Sequence, residues 1–376
     1  MVRWLLVAQL RTIVRWALLG LVPMVLSGCP RGNGNEEILV TVNDEGGGEA
    51  TTNRAGEHLV ALARAEGEVT WFTSTPAAEA AQFVRGFESK YPPLRVRLVR
   101  GGTFDLTDRI ERDLSAGTLA ADVMHVLDPA IFVALRQRGE LMAYSSPAAA
   151  AIPPEYRDPG YWCAARIVVL GMAYDRRRVT DAEVPHQWPV LLQQRWKGKV
   201  GLKDAQTAGS AYAQYYFLRE KYGQDFWEQF AAQKPRIYKT EDDLLEALTG
   251  GEIQVAAGVM GYRMNEYARR YRQTVGMIWP SDGVPLVIGP VAILSRAPHP
   301  NAARLFVDYC LSKEGQAALR DLLGAYSPRP DVAPPREAPR LSDLKLLRPP
   351  AGWAEYLGKQ GELRAEYARL FHGESE

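Results

Sequence analysis

The residues best suited to chemistry are hydroxyls and charges beside the ends of regular elements. Thr73, Ser74 and Thr75 follow a β-rich run, residues 69–72, and precede a segment with Ala80, Phe83, Val84 and Phe87 on one helical face. Three hydroxyls at a helix start, with that helix's free N–H groups, suit an anion or oxyanion; ordinary N-capping is the other use of the same residues. Asp128 precedes Pro129, the pattern of a cap with a first-turn proline, and is either that cap or a ligand contact. Trp162 is a cleft wall or a core residue. Asp282, in Trp279-Pro280-Ser281-Asp282-Gly283, meets an amine or cation or holds a turn. Tyr215 and Tyr216 are adjacent on a helical segment. Neighbouring helical positions point about 100° apart, so the pair is read as packing.

Other chemistries find no support. There is no Gly-x-Ser-x-Gly elbow, no His clustered with Asp and no metal-ligand spacing. The five histidines, His58, His125, His186, His299 and His372, are scattered. The chain is therefore read as a non-enzyme with no resident cofactor. Charge is balanced, 45 basic against 44 acidic residues, which argues against a nucleic-acid partner. Cys163 and Cys310 could pair in an oxidising compartment, but they sit in different contexts and are read as two buried thiols.

Positioning these residues requires a sizeable α/β body. Residues 96–99 and 121–127 continue the strand pattern, with Leu106, Ile110 and Leu114 marking a helix between them. Strands then recur at 167–173, 200–202, 253–257 and 291–294, separated by helical segments. One of these opens on a capping box at Thr240 and stops at Gly250-Gly251. Such alternation predicts βαβ units and a largely parallel sheet. Residues 328–350 are proline-rich, and 353–371 form a last amphipathic helix.

The N-terminus sets the compartment. Arg3, Arg11 and Arg15 precede an apolar run, Trp16 to Gly28, that ends in Leu26-Ser27-Gly28-Cys29, and no acidic residue precedes Glu36. This is a secretory-signal pattern. Its last four residues look like a bacterial lipobox, which implies a lipid on Cys29. The apolar run is shorter than the roughly 20 residues a spanning helix needs. Residues 1–28 are the expected signal and 29–56, rich in glycine and polar residues, an expected flexible tether.

From Glu66 to Gln316 the chain resembles the solute-binding proteins of bacterial ABC importers, in the family that includes ferric-iron binding proteins. Residues 66–74 look like that family's first strand and ligand loop. Ala121-Asp122-Val123 with Asp128, then Gly139-Glu140-Leu141 and Tyr144-Ser145-Ser146-Pro147, match its third-strand region. Trp196-Lys197-Gly198-Lys199-Val200 opens its second lobe, and residues 297–316 match its late helix pair. The resemblance implies a two-lobed periplasmic-binding-protein fold, with a ligand cleft between lobes joined by two crossing strands near Val168 and Ile288. Lobe 1 is expected at 57–167 and 287–376, lobe 2 at 168–286.

The family pattern also implies site residues. Gly209 and Ser210 resemble its hydroxyl-bearing second-lobe loop. Iron binders in the family carry adjacent tyrosines where this chain has Tyr262 and Arg263. Only Tyr262 matches, and the first-loop histidine is replaced by Thr73-Ser74-Thr75. A guanidinium does not ligate metals but recognises carboxylate or phosphate as a fork. Arg263 is accordingly expected to reach across the cleft toward Thr73–Thr75. The implied function is an extracytoplasmic, lipid-anchored, monomeric receptor. It captures an anionic solute or ferric complex by hinge closure and delivers it to a membrane permease. A bare-iron binder using Tyr262 and a ligand sensor for a membrane kinase are the alternatives.

Overall fold

The computed structural model describes residues 47–349 and 352–373. The expected signal, Cys29 and most of the expected tether lie outside them. The chain opens with α1 (Gly47–Glu66), so the last ten residues of the expected tether, 47–56, are helical. Then follow β1 (Glu68–Thr73), α2 (Ala77–Lys90), β2 (Arg95–Arg100), α3 (Thr103–Ala116), β3 (Val123–His125) and α4 (Pro129–Gln137). The two-residue β4 (Arg157–Asp158) leads into β5 (Trp162–Asp175). Next come β6 (Val200–Lys203), α5 (Gly209–Tyr222), α6 (Gln224–Ala232), β7 (Arg236–Tyr238), α7 (Glu241–Thr249), β8 (Val255–Met260), α8 (Gly261–Arg270) and β9 (Val275–Ile278). The last elements are β10 (Val284–Ile293), α9 (Pro300–Leu311), α10 (Lys313–Leu323), β11 (Leu346–Leu347), α11 (Trp353–Gly358) and α12 (Gln360–Phe371).

Two long strands organise this series. All 14 residues of β5 are buried, as are all 10 of β10. That fits their apolar content and a place in the middle of a sheet. The strands run β2-β1-β3-β10-β5-β8-β6-β7. β1 pairs in parallel with β2 and β3, and β10 runs antiparallel between β3 and β5. Up to Val169, β5 pairs with β10; from Leu170 onward it pairs with β8 and β9. β5 therefore leaves one α/β lobe and enters another, and β10 returns beside it.

Each lobe has its own apolar packing. In the first, Trp71, Phe83, Phe87, Phe306 and Tyr309 stack under α2 and α9, with centroids 5.0–6.2 Å apart. In the second, α5 and α6 cover one sheet face while Leu244, Leu245, Leu248 and Met264 of α7 and α8 cover the other. Tyr215 and Tyr216 are buried there, as expected for packing. Cys163 and Cys310 are free and buried. Thr240 caps α7 by accepting from the N–H of Asp243.

The C-terminus departs from the expected division. Tyr367 of α12 packs edge-on against Tyr215 at 5.3 Å, and Glu366 accepts from Arg219 at 2.9 Å. α12 thus rests on the second lobe, although 287–376 was expected in the first. The reason is aromatic: Tyr356, Leu363 and Tyr367 complete the second-lobe core around Tyr212, Tyr215 and Trp227.

Candidate functional site

The C-terminal ends of β1 and β3 meet the crossing strand β5 at one place, and a cation occupies it. Arg166, on β5 beside Gly289 of β10, is 1% exposed. Its Nη2 donates to Ser74 Oγ at 3.1 Å. Its Nε and Nη1 have no acceptor, and no carboxylate of the described residues appears among the charges acting on it. Burial lowers its pKa to about 10, with nearby Tyr262 acting the other way. The group therefore stays charged at neutral pH. An uncompensated buried charge costs several kcal/mol even after relaxation. Strongly perturbed ionisable groups cluster at functional sites.

The neighbours leave room for that cation. A Cβ at Gly289 would stand 2.9 Å from Arg166 Cγ, so glycine is what lets the strands pair beside it. His125, at the end of β3, is buried with both ring nitrogens unpartnered. It stacks on Trp71 at 5.9 Å. Burial first, and Arg166 second, hold its pKa well below the usual histidine range, so it is neutral.

The helix α5 brings the second lobe against this corner. Its N-cap is Ala208, which supplies no side-chain acceptor, so the first turn's positive end is not neutralised locally. Gly209 approaches the carbonyl of Leu127 so closely that an added Cβ would lie 2.1 Å from that oxygen. Ser210 Oγ accepts from Lys203 Nζ at 2.8 Å, and Lys203 is bound to Glu241 at 2.5 Å. Glu241 also accepts from the N–H of Met260 at 2.6 Å. The Lys203 charge is thus neutralised in place, whereas that of Arg166 is not.

Tyr262 joins the corner to the outside. It faces Arg166 electrostatically and also lines a cavity of about 620 Å³ with Glu79, Asn265, Arg269, Arg320 and Arg336. Burial pushes its phenol above the ordinary value of 10. Asn265 is buried and its Oδ1 has no donor.

The residues singled out from sequence divide sharply. Ser74 and Tyr262 meet Arg166, and Gly209 and Ser210 stand at the α5 start opposite Leu127. Thr73 and Thr75 point into the turn: Thr73 Oγ1 donates to Thr75 Oγ1 at 2.9 Å or to the His125 carbonyl at 3.0 Å. Asp128 is the cap of α4, accepting from the N–H of Ala130 at 2.9 Å, and its other oxygen accepts from Gln360 at 2.7 Å. Trp162 belongs to the first-lobe core and lines two cavities, neither of which includes Arg166 or Ser74. Asp282 holds a turn by accepting from the N–H of Trp188 at 3.0 Å and from the Tyr222 hydroxyl.

Arg263 corrects the sharpest expectation. Its guanidinium is bound by Asp242 and by Glu266, one helical turn along. Both are second-lobe carboxylates, and although Arg263 lines the same cavity as Tyr262 and Glu79, no hydrogen bond among the described residues joins it to Thr73–Thr75. Arg166 is the cation that sequence reasoning missed. Its mark was visible: it is the only charged residue between Trp162 and Tyr174.

Comparison with known proteins agrees with this architecture. The chain is 24% identical over 274 residues to a probable ABC transporter periplasmic-binding protein of Sinorhizobium fredii, covering 69% of this chain and 74% of that one. The fold matches iron-bound HitA from Pseudomonas aeruginosa with a TM-score of 0.72 at 20% identity, over 81% of this chain and 99% of the other. It matches AfuA from Actinobacillus pleuropneumoniae, solved with fructose-6-phosphate, with a TM-score of 0.71 at 22% identity over 81% and 98%. Residues 119–354, more than half of the sequence, match the family described as bacterial extracellular solute-binding protein, and the chain belongs to that family.

Proposed function

We propose that this protein is the lipid-anchored solute receptor of an ABC importer and that its solute carries a negative group bound by Arg166. The carrying observation is the buried, charged guanidinium with two unpartnered N–H directions at the junction of the lobes. An entering carboxylate or phosphate would satisfy both as a fork. Ser74, the α5 start and the Tyr262 hydroxyl would hold the remaining oxygens. The solute enters through the 620 Å³ cavity, passes Tyr262 and is enclosed as the lobes close about β5 and β10.

Bare ferric iron fits this corner poorly. A cation three charges strong would face Arg166 across a medium of low dielectric. The phenol of Tyr262 is held protonated by burial, and Arg263 replaces the second tyrosine. A ferric ion already wrapped by an organic anion remains compatible, because the anion would face the guanidinium.

The test is thermal shift and titration calorimetry on wild type and Arg166→Met with inorganic phosphate, a hexose phosphate, citrate and ferric citrate. A bound ligand raises stability by mass action. At least one probe should stabilise wild type and none should stabilise the variant. Equal binding by both proteins would reject the assignment. The anchor is tested separately: Cys29→Ala should release the protein from membranes, and mass spectrometry should find acyl groups on the wild-type cysteine.

A further inference from the structure

The two crossing strands are not the sole links between the lobes. α11 and α12 form a strap that is fixed to the second lobe and reaches the first. Its fixing is dense. Lys359 binds Glu220 at 2.9 Å, Glu366 binds Arg219 and the Tyr215 hydroxyl, and Tyr356 and Tyr367 sit among the second-lobe aromatics. Gln206 and Arg364 exchange side-chain-to-backbone hydrogen bonds, at 2.6 and 2.8 Å.

From this base α11 packs along α4 of the first lobe, and two polar side chains of α12 also cross over. Gln360 donates to Asp128 Oδ2 at 2.7 Å, directly after β3. The Arg364 guanidinium lies 4.3 Å from the centroid of the Phe104 ring, in the first turn of α3. Both targets stand where first-lobe strands end, on the rim that faces the second lobe. At that rim a Cβ on Gly102 would lie 3.9 Å from the Thr207 carbonyl, and Gly209 meets Leu127.

We infer that the C-terminal strap is a latch: Gln360 and Arg364 tie it to Asp128 and Phe104 and so bias the receptor toward its closed form before any solute binds. These contacts join bodies that separate when the cleft opens. Their free energy adds to closure alone, and each solute's apparent affinity rises with the closed fraction. A hydrogen bond to a buried carboxyl and a cation–π contact are of the size that moves such an equilibrium.

Hydrogen exchange on the full chain, with no solute added, tests the latch. The variants are Gln360→Ala and Arg364→Met, each checked for cooperative unfolding. The informative amides are those of residues 209–211 for both variants, with 103–106 for Gln360→Ala. Among the described residues no hydrogen bond or ring contact joins the substituted residue to these segments, but opening would expose them. The latch predicts about tenfold faster exchange there, equivalent to about 1.4 kcal/mol of lost closure. Faster exchange confined to residues 356–371 and their direct contacts would mean a local packing role and would overturn the inference. So would unchanged exchange throughout.

Discussion

Two arginines border the cleft, and their surroundings are opposite. Arg263 stands on α8 with Asp242 and Glu266 as partners, so its charge is spent within one lobe. Arg166 stands on a fully buried strand with one neutral hydroxyl as partner. The first arrangement stabilises the lobe modestly, since ion pairs near solvent contribute about 0–1 kcal/mol. The second destabilises the empty protein and is retained at the place where two lobes meet. The contrast teaches that a basic residue's position in a family pattern is weaker evidence than its lack of a counter-charge.

The largest effect should come from removing the uncompensated charge. Arg166→Met keeps most of the volume and deletes the buried cation. It should abolish binding of the responding anion and stabilise the empty protein by about 1–4 kcal/mol, as when buried charges give way to apolar side chains. A melting temperature that falls in this variant would show that Arg166 has a structural partner after all.

Proton linkage at Asp128 is next in size. Burial raises this carboxyl to about 7, against the hydrogen bonds from Ala130 and Gln360 and the charge of Arg364. The folded value exceeds the unfolded value of 3.8. The folded protein therefore binds more protons between those two values, and stability must fall as pH rises through that window. The slope from this group is at most about 1.4 kcal/mol per pH unit. Asp128→Asn still caps α4 and should flatten the curve between pH 4 and 7. Parallel curves for the two proteins in chemical denaturation would contradict the linkage.

Tyr262→Phe removes one hydroxyl and should weaken anion binding by about 2- to 10-fold, the range of a single neutral hydrogen bond. Complete loss in calorimetry would instead favour a phenolate metal ligand. Arg263→Ala should have the smallest effect on binding, under about threefold. A larger loss would restore the clamp first expected from its place beside Tyr262.

The fold was legible because its evidence is repeated. Residues 69–72, 167–173 and 291–294 each carry an apolar β-rich run, and each became part of β1, β5 or β10. The site was only half legible. Ser74 and Tyr262 announced themselves by type and loop position. Asp128, Thr73 and Asp282 did too, yet their side chains are consumed by a cap, a turn and a Trp188–Tyr222 clamp. Local sequence cannot show which polar groups tertiary partners will satisfy. Arg166 lay one residue before the strand as read from sequence, and its significance depends on absent carboxylates, a property of the folded chain.

The central claim is that Arg166 supplies the counter-charge for the solute. Titration calorimetry of wild type, Arg166→Met and Arg166→Lys with the anion that gives the largest thermal shift tests it most directly. Two charge-assisted bonds at roughly 1.5–3 kcal/mol each predict at least a hundredfold loss in Arg166→Met. Lysine should recover only part, since it keeps the charge without the fork. Binding within threefold of wild type in Arg166→Met would contradict the claim.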